Sequence, residues 1–313
     1  MFQYVVRRIF LIVPTLWAVV TVVFFLIRIV PGGPAMAALG AYASEEQVRA
    51  LEHQMGLDQP LLIQYVKYLA DLCRGDLGKS LITQRPVAQE IAQALPYTID
   101  LTVAGMALGI LMGVPIGIFA ALRRNRLPDY LGRIFSLIGI SMPEFYLGIL
   151  LMYVFAVKLN LFPVIGGGDF SRWGSRFYHL VLPAFTLGII MTSFISRMTR
   201  SSMLNVIGED YVRTARAKGV SEKMVVYKHA LRNALIPTTT VIGLYAGILM
   251  GGSVLTEIVY SRPGLGKMMV FAVKDRDYMT LQMVIVIFSA AVFLLNLLTD
   301  ILYSLIDPRI EYH

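Results

Sequence analysis

An all-α membrane protein with six transmembrane helices is the fold class the sequence predicts, and three observations carry that expectation. The chain is 57% hydrophobic and 15% charged, with a mean hydropathy of +0.66 over 313 residues. A soluble domain of that composition would lack the polar surface to face water. Uncharged runs approach or reach the roughly 20 residues needed to cross ~30 Å of hydrocarbon. Lysine and arginine are also spread unevenly over the short connections between those runs. Five runs are clean: Ile9–Ile27, Leu101–Leu122, Leu180–Ser196, Ala234–Thr256 and Tyr278–Thr299. A sixth, Ile134–Val157, is interrupted once, at Glu144.

The basic residues suggest an orientation. With the N-terminus cytoplasmic, the inner side holds Arg7, Arg8, Arg123, Arg124, Arg126, Arg133, eight basic residues from Arg197 to Arg232, and Arg309. The short outer loops hold seven: Lys158, Arg172, Arg176, Arg262, Lys267, Lys274 and Arg276. Both termini are therefore expected inside. The net charge of +8 follows mostly from this bias and is not read as nucleic-acid binding. A lone cysteine, Cys73, leaves no intrachain disulfide framework. A cleaved leader ending near Ala35-Met36-Ala37 is the rival reading of the N-terminus, but the apolar run exceeds the usual 7–15 residues of a signal peptide.

Three regions follow: residues 1–30 with the first span, 31–96 between the first two spans and outside the membrane, and a core of residues 97–313 with a cytoplasmic coupling loop at 197–236. In the second region Ser44 and Gln47 fit a capping box, Gly56 fits a helix stop, and Pro86 suits the first position of a helix. The second span carries Gly105, Gly109, Gly113 and Gly117, and the fifth carries Gly243, Gly247 and Gly251, each set at a spacing of four. On a helix such a set is a smooth face that lets a second backbone approach. Ordinary intrachain packing and shifting helix contacts both use such faces. No repeat of 20–50 residues and no inverted repeat between halves is visible, which weakens a self-contained carrier.

Catalytic chemistry finds little support. His53, His179, His229 and His313 share no ligand spacing with carboxylates, so neither a metal site nor a resident cofactor is expected. The stretch CRGDLGKS (73–80) ends like a phosphate-binding loop, but Cys73 occupies its first glycine position, and SRPGLGKM (261–268) fails at Ser261 and Met268. The chain is therefore read as no ATPase and no enzyme. Glu144 follows Pro143 and Ser141 in SMPEF, about ten residues into an apolar run, or roughly 15 Å of helix rise. There it either faces a water-filled path, where it would meet a cationic group such as a peptide amine, or lies near the membrane surface.

One segment stands apart: EDYVRTARAKGVSEKMVVYKHALRNALIP, Glu209 to Pro237. It divides at Gly219 into two short amphipathic helices, with Ser221 as cap of the second and Glu222 in its first turn. Met224, Tyr227, Leu231 and Leu235 form an apolar stripe at helical spacing, and Arg213, Arg216, Lys218, Lys223, Lys228 and Arg232 form the polar surface. Such a segment suits either an anionic lipid surface or a compact knob for a cytoplasmic protein.

The segment resembles the EAA loop of ABC-importer permeases, in the form of the dipeptide/oligopeptide permease family. Arg213-Thr214-Ala215 followed by Gly219 fits that pattern, with Arg213 in place of the glutamate. YVVRRIFLIVPTL, GDLGKS with PVAQEI, GISMPEF, RMTRSSML, RPGLGK, RDY and NLLTDILYSLIDPR are similar to the same family, so the likeness covers essentially the whole chain. PGGP at 31–34 departs from the more common PGDP. The resemblance implies a bacterial inner-membrane permease that pairs with a second homologous permease chain. Two cytoplasmic ATPase subunits carrying ATP and Mg would dock on the coupling helices. A periplasmic or lipid-anchored binding protein would deliver a dipeptide, oligopeptide, glutathione or nickel. Glu209, Asp210, Arg213, Thr214, Ala215, Arg216, Ala217, Lys218 and Gly219 are then the expected ATPase-coupling residues. The alternative is a self-contained, ion-coupled carrier.

Overall fold

A computed structural model describes residues 2–29, 33–39, 43–169 and 171–306. Pro31 and Gly32 of the PGGP stretch, and Arg309, lie outside them. Among the described residues the regular structure is helical: α1 (Phe2–Ile29), α2 (Gly33–Leu39), α3 (Glu45–Met55), α4 (Leu61–Cys73), α5 (Val87–Leu122), α6 (Leu127–Ser141), α7 (Glu144–Lys158), α8 (Trp173–Ile207), α9 (Asp210–Ala217), α10 (Glu222–Val259), α11 (Leu265–Lys274) and α12 (Tyr278–Ile306). Five of these, α1, α5, α8, α10 and α12, are long and apolar enough to cross a membrane.

The sixth span is broken. Helices α6 and α7 together pass the same test but are bent by 109° at Met142-Pro143. Pro143 disfavours helical backbone in the residue before it, and Met142 is extended, with φ −83° and ψ 130°. Glu144 is therefore in the first turn of a new helix rather than ten residues along a continuous one.

The chain divides into two compact units, with boundaries inside α1, α5 and α12 and between α10 and α11. The first comprises residues 98–262 and 294–313 together with 1–5. Here the glycines of α5 meet α8. A Cβ added at Gly105, Gly109, Gly113 or Gly117 would lie 2.9, 2.6, 2.8 or 2.6 Å from Leu187, Met191, Ile195 and Thr199 respectively. Both rows repeat every four residues, so one helix's ridge beds against the other's smooth face. Leu101, Leu187, Met191 and Ile195 are almost wholly buried along this seam. Helix α6 also closes on α8, through a Ser136–Ser196 hydroxyl contact of 2.9 Å and at Gly139, where any Cβ would collide with Ser193. The α10 glycines differ among themselves. Gly247 faces Asn296 of α12, whereas a Cβ at Gly243 or Gly251 meets nothing within 4 Å among the described residues.

The second unit comprises residues 6–97 and 263–293. Its core is Val87, Ile91, Ala94, Leu265, Met283 and Val284. Ser44 and Gln47 form both halves of the capping box, and Gly56 ends α3 in the left-handed conformation at φ +68°. Pro86 sits one residue before α5, its carbonyl accepting from Gln89 and Glu90. The helix then runs on through Pro96 to Leu122. The GDLGKS stretch is a structural tie here. The buried Ser80 hydroxyl donates to Asp277 Oδ2 at 2.5 Å, and Asp277 in turn caps α12 by accepting from the Thr280 amide at 3.1 Å.

Candidate functional site: a helix–turn–helix knob and a broken span

Helix α9 begins after Glu209, whose extended backbone (φ −70°, ψ 149°) ends the preceding turn. Asp210 in the first turn favours the positive end of the helix dipole and lies 3.3 Å from Arg213. The helix stops at Lys218, and Gly219 reverses the chain at φ +79°, where an added Cβ would meet nothing within 4 Å among the described residues. A side chain is disfavoured there because L-residues avoid positive φ. Ser221 occupies the N-cap position of α10, but its hydroxyl makes no capping bond. The turn is closed by a different pair, Arg216 Nε and Nη2 donating to the Glu222 carboxylate at 3.1 and 2.8 Å. That bidentate contact holds the Arg216 guanidinium pKa above its ordinary value.

The buried face of the second helix is not the one the spacing predicts. Met224 and Tyr227 are 46% and 60% exposed, while Val225, Val226, Ala230 and Ala234 are buried. The cause is a π-helical turn at Val225–Ala230. It inserts one extra residue into the helical ladder, so Val225, five residues before Ala230, and Val226, four before it, both face inward with Ala230 and Ala234. Val226, Ala230 and Ala234 pack with Ile118, Ala121 and Met203, which come from α5 and α8. Val212 of α9 is fully buried as well. The Tyr211 hydroxyl accepts from Asn233 at 2.7 Å and so ties α9 to α10.

A compact knob results, with an apolar base and a polar crown. Glu209, Asp210, Arg213, Thr214, Arg216, Ala217, Lys218 and Gly219 are exposed, and Ala215 is half-buried. The structure brings all nine sequence-predicted coupling residues together on this one projection.

The second constellation is the α6–α7 break. Ser141 ends α6, Pro143 precedes α7, and Glu144 opens it. The Glu144 Oε1 accepts from Thr256 Oγ1 of α10 at 2.5 Å, and its Oε2 lies against Gly252. The carboxylate thus fills the space a side chain at 252 would take.

Sequence reasoning passed over a third feature. Asp100 of α5 accepts a bidentate contact from Arg176 of α8, including Nε–Oδ2 at 2.5 Å, and Arg262, fully buried, lies 3.8 Å from the same carboxylate. Glu257, also fully buried, accepts from Thr98 at 2.6 Å. Arg176 and Arg262 entered the sequence reading only as loop charges. Their signal was proximity to span ends, where a charge needs a partner. No group of three or more His, Cys, Asp or Glu residues able to hold a metal ion occurs among the described residues.

The family model described as "Binding-protein-dependent transport system inner membrane component" matches residues 113–312, and its N-terminal companion matches residues 1–102. The chain belongs to this family of inner-membrane permeases. It is 44% identical to the glutathione transport system permease protein GsiC of Salmonella paratyphi A over 312 residues, covering all of both chains. It is 41% identical to the dipeptide transport system permease protein DppB of Alkalihalophilus pseudofirmus, again over the full length of both. Among solved structures, the MetNI methionine ABC transporter in inward-facing conformations shares the fold, with a TM-score of 0.56 at 19% identity over 71% of this chain and 98% of that one. The chain is thus a multi-pass permease subunit of an ABC importer in the bacterial inner membrane, and its relatives are membrane subunits rather than enzymes. Membership does not favour the self-contained carrier.

Proposed function

We propose that this permease forms, with a second homologous permease chain, the pathway for uptake of a small peptide or glutathione-like solute. On this reading residues 209–219 couple it to two cytoplasmic ABC ATPases. The observation that carries the proposal is the knob: a polar crown turned at Gly219 on a base packed into α5 and α8. A projection seated this way can pass a push from outside the membrane directly into two spans. ATP and Mg belong on the partner ATPases, and this chain supplies the docking element. Both termini and the knob then lie in the cytoplasm, while residues 31–96 meet a periplasmic or lipid-anchored binding protein on the other side. By linkage, the factor by which nucleotide binding inside changes the affinity for the loaded binding protein outside is the factor by which its docking changes nucleotide affinity.

The cargo class rests on two relatives named for glutathione and for dipeptides. Both kinds of solute carry a free amine and carboxylates. Ser141, Pro143 and Glu144 are the path residues in this reading, with the Glu144 carboxylate receiving the cargo amine. The test is an affinity pull-down of the tagged chain from native membranes in mild detergent, with mass spectrometry of what accompanies it. A second permease chain and ATPase subunits, lost when Arg213–Gly219 is replaced by a flexible linker, are expected. Recovery of the chain alone would overturn the assembly.

A further inference from the structure

Between α5, α6 and α8 lies a cavity of about 390 Å³ that the transport reading does not use. Its walls are of two kinds. Ile116, Leu137 and Ile140 make one side apolar, and Leu137 is 66% exposed. Arg133, Arg197 and Arg200 line the same cavity. One carboxylate stands against these three cations. Asp129 is fully buried and accepts from Arg200 at 2.5 and 2.9 Å, with Arg133 more distant at 3.7 Å. Arg133 also lies over the Tyr130 ring and Arg197 over Phe194. The cavity therefore has an excess of positive charge beside hydrocarbon-like surface. The nearby turn between α5 and α6 adds Arg123, Arg124 and Arg126, all exposed.

A soluble anion would gain nothing from the apolar wall, and a wholly apolar ligand would gain nothing from the arginines. A molecule with a phosphate at one end and an acyl chain at the other matches both. Basic pockets between transmembrane helices recognise anionic lipid headgroups through this combination. We propose that the cavity binds an anionic phospholipid. Its phosphate meets Arg133 and Arg197, and an acyl chain lies along Ile116, Leu137 and Ile140. Arg200, held by Asp129, fixes the positions of α6 and α8 around it.

The test uses the full chain, delipidated in neutral detergent and returned to mixed micelles, with retained lipid read by native mass spectrometry. Phosphatidylglycerol should be retained in preference to phosphatidylcholine, and inorganic phosphate should not displace it. Arg133→Gln with Arg197→Gln should lower retention about tenfold or more. Arg133→Lys with Arg197→Lys should keep most of it, which separates lost charge from lost fold. Leu137→Trp, which fills the apolar side and leaves every charge in place, should lower retention too. Equal retention of the two lipids, unchanged retention in the glutamine and tryptophan variants, or displacement by phosphate alone would each overturn the site.

Discussion

A carboxylate in a membrane-spanning segment is costly unless something holds it, and among the described residues Glu144 is held by a hydroxyl and not by a cation. Its partner is the Thr256 hydroxyl, and its place is the first turn of α7, where a negative charge is favoured by the helix dipole. Threonine leaves acceptor capacity on the carboxylate for a cargo amine. Glu144→Gln keeps the acceptor for Thr256 and removes the charge, so the fold should survive. Uptake of free dipeptides should fall about tenfold, the scale of one charge-assisted hydrogen bond, while N-acetylated peptides should change little. Equal losses for both in a transport assay would remove Glu144 from cargo recognition. The sequence disclosed this residue because a charge interrupts an apolar run, but it did not show the sharp bend before it. The extended backbone at Met142 turns the chain before the helix resumes. The partnership of Asp100 with Arg176 was not legible, because nothing local links positions 76 residues apart.

At the scale of elements, the glycine face of α5 and the glycines of α10 look alike in sequence and differ in what they meet. Gly117 is the tightest point for rigid atoms: an added Cβ would lie 2.6 Å from Thr199 Cβ and 2.7 Å from the Ser196 carbonyl oxygen. Gly117→Ala should therefore destabilise the chain by about 1–3 kcal/mol through overpacking. Gly243→Ala has nothing within 4 Å and should be neutral or gain up to about 1 kcal/mol of helix propensity. Melts of the two purified variants in detergent check the contrast, and similar melting points would contradict it. Spacing alone could not separate the two faces, since it reveals smoothness and not the neighbour. The π-helical turn at Val225–Ala230 was hidden for a related reason. Apolar residues lie on several sides of this stretch, so a regular helix through Met224, Tyr227 and Leu231 fits the sequence as well as the rotated one. Deleting Tyr227 should restore the α-helical period and turn the knob by about 100° relative to α10. Membrane insertion should persist and cargo-stimulated ATPase should be lost. Full stimulation in the deletion variant would show that the turn's phase is irrelevant to coupling.

For the whole molecule, the question is whether force enters the membrane domain through one place. The knob is seated on the spans and braced within itself. Ala230 and Ala234 of α10 share a buried cluster with Met203 of α8 and Ile118 of α5, and the Tyr211–Asn233 bond ties α9 to α10. Such an arrangement transmits displacement only if the reversal at Gly219 keeps its shape. Its φ of +79° is closed to proline, whose ring fixes φ near −65°. Gly219→Pro should therefore break the knob's geometry and leave the spans alone, because a Cβ added at 219 meets nothing within 4 Å among the described residues. Reconstituted with the partner subunits of the proposed assembly, the variant should retain basal ATP hydrolysis, which that proposal assigns to the ATPases, and lose at least about tenfold of the stimulation by loaded binding protein. Gly219→Ala, which strains the backbone without forbidding it, should fall between the two. If the proline variant were stimulated as fully as the parent, the crown of residues 209–219 would not be the coupling element, and the lipid-surface reading of this basic segment would regain its place.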